Sequence, residues 1–155
     1  MSFRVTGLSP DPFKDLFGLS DEALAAQNIQ RYIAEPGSAY PDRIEMRDAE
    51  PGETLLLLNH EYQPASTPYR ARHAIFVREW AEETYDRVGE VPQAMRTRLL
   101  SLRAFDADDM IVDADVIDGS EVERLIERLF AKKNVAYIQA HNAKRGCFSG
   151  RIDRA

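Results

Sequence analysis

Apolar and polar residues alternate along the last part of the chain, over residues 134–153, with small or apolar side chains at even positions. Two strands that show their apolar residues to one side must pair residues of equal parity, which requires a loop with an odd number of residues. The segment Lys144-Arg145-Gly146 fits a three-residue loop that ends in a left-handed glycine. The pattern therefore predicts a C-terminal β-hairpin in which His141 faces Ser149, with Cys147 diagonal to His141 on one polar surface.

Other strand-like segments are distributed along the chain. We expect strands at residues 3–8, 44–49, 54–62, 74–77, 99–105 and 110–117. The apolar run at residues 55–58 favours a central position for the third of these strands. A strongly polar turn at residues 106–109 predicts that the last two form a hairpin. Residues 80–87 fit either a helical turn or a surface insertion.

Two segments carry helix signals. Ser20 is expected to cap a helix that continues to about Ala34, where Pro36-Gly37 stops it. Ser120 and Glu123 form a capping-box pattern at the start of a second helix. The second helix has a continuous apolar stripe that consists of Val122, Leu125, Ile126, Leu129 and Phe130.

Strands predominate in this order of elements, and no strand–helix–strand rhythm repeats. The sequence therefore predicts an α+β fold, with a mainly antiparallel sheet and about two helices packed on it. A chain of 155 residues with 44% hydrophobic content is sufficient for one ordinary core. We expect a single compact domain over residues 1–155.

Composition excludes several classes of protein. Twenty basic residues against 26 acidic ones give a formal charge of −6, which argues against general affinity for nucleic acid or anionic lipid. No apolar run reaches membrane-spanning length and no secretory signal precedes the first strand, so a cytoplasmic location is the default expectation. The single cysteine can form neither an internal disulfide nor a cysteine-based zinc site.

The predicted hairpin holds the first candidate chemistry. Cysteine and histidine are a known nucleophile and base, so His141 and Cys147 form a candidate catalytic dyad. Strand alternation sends Asn142 to the opposite face, so it is not expected to orient the imidazole as a third member. The alternative is a hairpin with a mixed polar face and no catalytic role.

Clustered arginine residues are the second candidate. Arg70, Arg72 and His73 border the predicted strand at residues 74–77 and, with Arg145, are candidates to bind a carboxylate or phosphate. The alternative is a set of surface arginine residues paired with the abundant acidic ones. No glycine-rich phosphate loop or dinucleotide fingerprint is present, and no cofactor is predicted.

Acidic residues are dense at residues 106–118, which raises the question of a divalent-metal site. Ile117 and Arg124 stand where a calcium-binding loop that began at Asp113 would need oxygen ligands, so an EF-hand is excluded. Asp113 and Asp115 also alternate with apolar residues, as expected for the solvated face of a strand. No metal ligand is predicted.

Four segments of the chain resemble one family. They are PGETLLLLNHEYQP at 51–64, TPYRARHAIFVRE at 67–79, LLSLRAFDADDMIVDADVIDG at 99–119 and AHNAKRGCFSGRIDRA at 140–155. Together they resemble a small bacterial family known as domain of unknown function 1203, over nearly the whole chain. The resemblance implies a compact bacterial domain and carries no activity, cofactor or catalytic residue with it.

Two functional hypotheses follow from the sequence. The first is a domain that binds a small polar or anionic ligand, with or without cysteine and histidine chemistry. The second is a noncatalytic interaction module that forms a homodimer through a sheet edge or an apolar surface. Whether the protein is an enzyme is left open at this level.

Overall fold

The computed structural model describes residues 2–155, which form two antiparallel sheets and a few short helices. The larger sheet has the strand order β5-β1-β9-β8-β6-β7, and the smaller has the order β2-β3-β4. The strands are β1 Phe3–Thr6, β2 Gln30–Ile33, β3 Thr54–Gln63, β4 Ala71–Arg78, β5 Asp86–Val88, β6 Leu99–Phe105, β7 Ile111–Asp118, β8 Tyr137–Asn142 and β9 Phe148–Arg154. This architecture confirms the α+β class with mainly antiparallel pairing.

The helices are α1 Asp21–Ala25, α2 Gln93–Arg96 and α3 Val122–Phe130, and 3-10 turns span Asp11–Leu16 and Gly119–Glu121. Helix α3 covers one face of the larger sheet because every residue of its apolar stripe is buried there, as the sequence predicts. The opposite face of the larger sheet packs on the smaller one. The second apolar core, which includes Leu56, Leu58, Ile75, Val77 and Phe148, lies between the two sheets.

The first predicted helix is wrong in length. Ser20 caps α1 by accepting a hydrogen bond from the Ala23 N–H, but the helix ends at Ala25 and residues 30–33 form β2. Asn28 adopts a left-handed backbone with φ 58°, and the Ile29 N–H bonds back to the Leu24 carbonyl. This Schellman-type closure ends the helix and turns the chain into a strand of the smaller sheet.

Two other local predictions are also wrong. Residues 44–49 form no strand, because Met46 has a positive φ of 55° and the only bridge in this region joins Pro41 to Asp48. The capping box at the second helix does not form either. Asp118 caps the preceding 3-10 turn by accepting from the Ser120 N–H, and Glu123 forms a salt bridge with Arg96.

The hairpin of β8 and β9 keeps the predicted register over most of its length, with pairs from Tyr137–Asp153 to Ala140–Gly150. A β-bulge then makes His141 pair with Phe148, not with Ser149. The bulge transfers the Phe148 ring from the α3 face to the core between the sheets, where it is 5% exposed. Burial of a phenylalanine side chain is worth about 1.5–3 kcal/mol, which outweighs the regular alternation.

Candidate functional site

A cleft of about 760 Å³ opens beside β4 and is lined by residues distant in sequence. Its walls come from His73, Ala74, Ile75 and Phe76 of β4, the segment at residues 38–43, and the hairpin loop that joins β8 to β9. Because β4 is at the edge of the smaller sheet, the cleft runs along a strand that, within residues 2–155, has no neighbouring strand on that side. We refer to this feature as the β4 cleft.

Arg43 lies at the floor of the β4 cleft and is 2% exposed. Its Nε donates to the Phe148 carbonyl at 2.8 Å, and its Nη1 donates to the Pro41 carbonyl at 2.5 Å. Its Nη2 lies 3.1 Å from the sulfur of Cys147. Burial lowers the pKa of Arg43 from its usual value. Among residues 2–155, its recorded partners include no carboxylate, so its charge is not neutralised by a salt bridge.

Asn142 and Cys147 lie beside Arg43 in the same floor. The Asn142 amide nitrogen is 3.6 Å from the Cys147 sulfur, a long contact. The Asn142 Oδ1 is buried and, within residues 2–155, has no hydrogen-bond donor. An unpaired buried acceptor lowers the stability of the fold by about 1–3 kcal/mol, so its presence calls for a structural or functional explanation.

The rim of the cleft is positively charged. Lys144 and Arg145 are exposed in the hairpin loop, and neither forms a salt bridge with any residue in the described part of the chain. Arg98 also lines the cleft, but Asp48 binds its guanidinium at 2.6 Å. Lys144 and Arg145 are therefore the rim cations available to a ligand.

An aromatic group forms the outer wall. Tyr32, Tyr40 and Phe76 line the cleft with their ring centroids 5.4–6.5 Å apart. Edge-on and tilted contacts at such distances fix the rings against one another. The β4 cleft thus combines a cationic rim and a polar floor with an apolar wall.

His141 lies elsewhere, in the layer between the sheets. Its Nδ1 is 3.1 Å from the Gly146 carbonyl and its Nε2 is 3.2 Å from the Gln139 side-chain oxygen, while Tyr62 packs edge-on at 4.9 Å. The side chain is fully buried, and burial lowers its pKa to about 4, so the ring is neutral at pH 7. The β-bulge places Cys147 beside Asn142, on the face opposite His141. The predicted placement of His141 and Cys147 on one surface is wrong.

The predicted arginine cluster also separates. Arg70 pairs with Glu61 at 3.1 Å, and the Arg72 Nε donates to the Asn59 side-chain oxygen at 2.6 Å. Neither arginine lines the β4 cleft, whereas His73 does. Of the six candidate residues from the sequence, the structure brings together His73, Arg145 and Cys147 in one cleft.

Sequence reasoning missed Arg43 and assigned no role to Asn142. Arg43 lies in a segment without periodicity, between Asp42 and Ile44, so no local pattern indicates that its side chain is buried. Asn142 was set aside because it points away from His141. The same orientation places Asn142 among the residues that line the cleft. A hairpin prediction that included the β-bulge would have placed Asn142 beside Cys147.

Two further findings concern metal binding and membrane-spanning helices. No group of three or more His, Cys, Asp or Glu side chains within residues 2–155 is arranged to hold a metal ion. In the same part of the chain, every helix is too short or too polar to cross a membrane.

The fold is a two-sheet α+β structure with a cleft at an edge strand. In the described part of the chain, the floor of that cleft holds a buried arginine without a carboxylate partner and a buried asparagine oxygen without a donor. The chain belongs to the family described as "Protein of unknown function (DUF1203)", whose model matches residues 39–154. That span contains the whole floor and rim of the β4 cleft. Among curated proteins and among solved structures, none matches this chain.

Proposed function

We propose that the protein binds a small anionic ligand in the β4 cleft. The observation that carries the proposal is the polar floor, where Arg43 and Asn142 both contact the Cys147 sulfur. Among the residues that the structure describes, the buried Arg43 has no carboxylate partner and the buried Asn142 oxygen has no donor. A bound anion with an N–H group would supply a counter-charge for Arg43, whose Nε, Nη1 and Nη2 already have hydrogen-bond partners, and a donor for the Asn142 oxygen. A cavity of this size is within the range of small-molecule sites, about 300–1,000 Å³.

The charges of the cleft favour an anion. Lys144 and Arg145 lie at the rim and form no salt bridge within residues 2–155, and Arg43 adds a third positive charge in the floor. Guanidinium groups bind carboxylates and phosphates through charge-assisted hydrogen bonds, which are stronger than neutral ones. A ligand that carries a carboxylate and an amide N–H fits the rim and the Asn142 oxygen together.

Binding has more support than cysteine and histidine catalysis. The recorded side-chain partners of the Cys147 sulfur are the Arg43 guanidinium and the Asn142 amide, and neither group acts as a general base at neutral pH. His141 is engaged by Gly146 and Gln139. Cys147 is therefore expected to contact the ligand and not to act as a nucleophile.

The homodimer hypothesis has less support. The large apolar side chains that are more than half exposed lie in four different elements, namely β2, the turn after β4, β5 and β7: they are Ile33, Trp80, Val88 and Val116. Apolar residues dispersed in this way do not make the contiguous patch that a stable interface between copies needs.

The first test uses N-acetylglutamate as the probe and Cys147 as the reporter. We expect the probe to bind in calorimetry and to slow alkylation of Cys147 by iodoacetamide, because the sulfur lies in the cleft floor. Replacing both rim cations, Lys144→Gln with Arg145→Gln, should weaken binding about tenfold, or about 1.4 kcal/mol. The matched control is Arg70→Gln with Arg72→Gln, which removes two arginine charges outside the cleft and should leave binding unchanged. Equal losses in the two double variants would contradict the proposal.

Asn142→Leu tests the floor separately. The change removes an unsatisfied buried acceptor and keeps a side chain of similar shape, so the free protein should be as stable as the parent or more stable by about 1 kcal/mol. Binding of N-acetylglutamate should weaken at least tenfold because its N–H loses its acceptor. A variant that is destabilised by several kcal/mol, yet binds normally, would assign Asn142 to the fold and not to the ligand.

A further inference from the structure

The edge of β4 that faces the cleft has free main-chain groups. Backbone groups of an edge strand point alternately toward the neighbouring strand and away from it. The Glu79 N–H bonds to the Thr54 carbonyl of β3, so odd-numbered residues of β4 pair with β3. The even-numbered residues Ala74 and Phe76 therefore direct their N–H and C=O groups to the open side.

The two ends of this edge differ. At the C-terminal end the Arg78 N–H is already bound, because Asp42 Oδ1 accepts from it at 2.7 Å. The Ala74 carbonyl contacts the His73 Nδ1 at 2.9 Å. The Ala74 N–H and both main-chain groups of Phe76 have no recorded partner within residues 2–155. Two donors and one acceptor therefore line the cleft, in the spacing of a β-strand.

We propose that the ligand of the β4 cleft is a short acidic peptide that adds to this edge as an extra antiparallel or parallel strand. The inference rests on the function proposed above and names the chemical class of the ligand. Residues 73–76 line the cleft, and at about 3.4 Å per residue they span roughly 10 Å, the length of a three-residue segment. The Asp42 cap on Arg78 prevents pairing beyond that point, which favours a free short peptide over a long protein segment.

A peptide matches each group in the cleft. Its N–H and C=O groups pair with the edge of β4, as in other cases of strand addition. A further amide N–H supplies the donor that the Asn142 oxygen lacks. The acidic group meets Lys144 and Arg145, and an apolar side chain on the outer side meets the aromatic wall formed by Tyr32, Tyr40 and Phe76.

Amide hydrogen exchange in the unaltered protein tests the placement directly. The probe is acetyl-Leu-Ala-Glu with a free C-terminal carboxylate. We expect it to slow exchange of the Ala74 and Phe76 N–H groups at least tenfold, because both become hydrogen-bonded. The Arg78 N–H is the internal control and should change little, since it is bonded already. The same peptide with its backbone amides N-methylated should bind at least tenfold more weakly and give no protection.

Ala74→Pro provides the matched variant. Proline removes one free N–H without breaking the ladder to β3 and is tolerated on edge strands. We expect it to bind the tripeptide at least tenfold more weakly and to keep its affinity for N-acetylglutamate, which is too short to require both edge donors. Binding of N-acetylglutamate without protection of Ala74 and Phe76 by the tripeptide would overturn the peptide inference and leave the anion site intact. Failure of both probes to bind would overturn both proposals.

Discussion

At the scale of single residues, the buried side chains His141 and Arg43 explain why the candidate site differs from its sequence prediction. The one cysteine and the nearby histidine suggested a dyad, but the His141 ring is fully buried between the sheets, with its Nδ1 3.1 Å from the Gly146 carbonyl. Arg43, in contrast, was not predicted as a site residue, because its neighbours along the chain give no sign that its side chain is buried. Side-chain partners that come from distant segments cannot be deduced from local alternation.

His141 gives stability a pH dependence whose sign follows from its pKa. Burial lowers the pKa of His141 to about 4 in the folded protein, against about 6.5 for an unperturbed histidine, so the folded state disfavours the protonated ring. Its contribution is complete above pH 6.5 and is lost as pH falls toward 4. At pH 5 the loss is about 2 kcal/mol relative to pH 7, by proton linkage. Urea unfolding at the two pH values measures it.

The control for this prediction is His141→Gln, which keeps polar atoms in the layer between the sheets and cannot titrate. The variant should lose about 2 kcal/mol less than the parent between pH 7 and pH 5, whatever its absolute stability. An identical pH dependence in the two proteins would show that carboxylates, and not His141, govern acid sensitivity in this range.

At the scale of elements, the sequence predicted most of the strands and α3 correctly, but it missed local interruptions within a pattern. Helix α3 was predicted from its apolar stripe, whose five residues are all buried, and β3 and β6 were predicted from apolar segments that place several side chains in the cores. Strand β7 was predicted from alternation, and its residues are partly buried or exposed. The segment at residues 20–34 has helix-forming residues throughout, but one left-handed residue divides it into α1 and β2. The bulge in β9 is a similar case, in which packing between the sheets overrides strand alternation.

Asn28 is the residue that should decide where α1 ends. A left-handed backbone costs an ordinary L-residue about 1–2 kcal/mol, less for asparagine and nothing for glycine. Asn28→Ala should therefore lower the free energy of unfolding by about 1 kcal/mol, and Asn28→Gly should be neutral or slightly stabilising. Urea midpoints of both variants provide the measurement. Gln27→Ala, one residue earlier and exposed, is the control. Stability of Asn28→Ala equal to that of the parent would mean that the turn forms without a left-handed residue.

At the scale of the whole molecule, charge is distributed unevenly. The chain carries a formal charge of −6, yet the β4 cleft has Lys144 and Arg145 at its rim and Arg43 in its floor. Counting charges along the sequence therefore argued against general affinity for nucleic acid but did not locate a positive site. Only the fold brings these cations together, because the segment at residues 38–43 and the hairpin loop meet at the edge of β4.

This local charge predicts how salt affects binding of N-acetylglutamate. Raising NaCl from about 0.1 M to about 1 M shortens the Debye length from about 10 Å to about 3 Å, which screens the exposed rim. Exposed ion pairs contribute about 0.2–1 kcal/mol each, so losing two of them should weaken binding about fivefold. Calorimetry at both salt concentrations measures the change. N-acetylglutamine, which keeps the α-carboxylate but has an amide in place of the side-chain carboxylate, should show a smaller dependence, and Arg145→Gln should reduce the dependence for N-acetylglutamate. If salt weakens the binding of N-acetylglutamate and of N-acetylglutamine to the same extent, the side-chain carboxylate does not contact the rim, and the ligand binds through its amide and its α-carboxylate at the Arg43 and Asn142 floor.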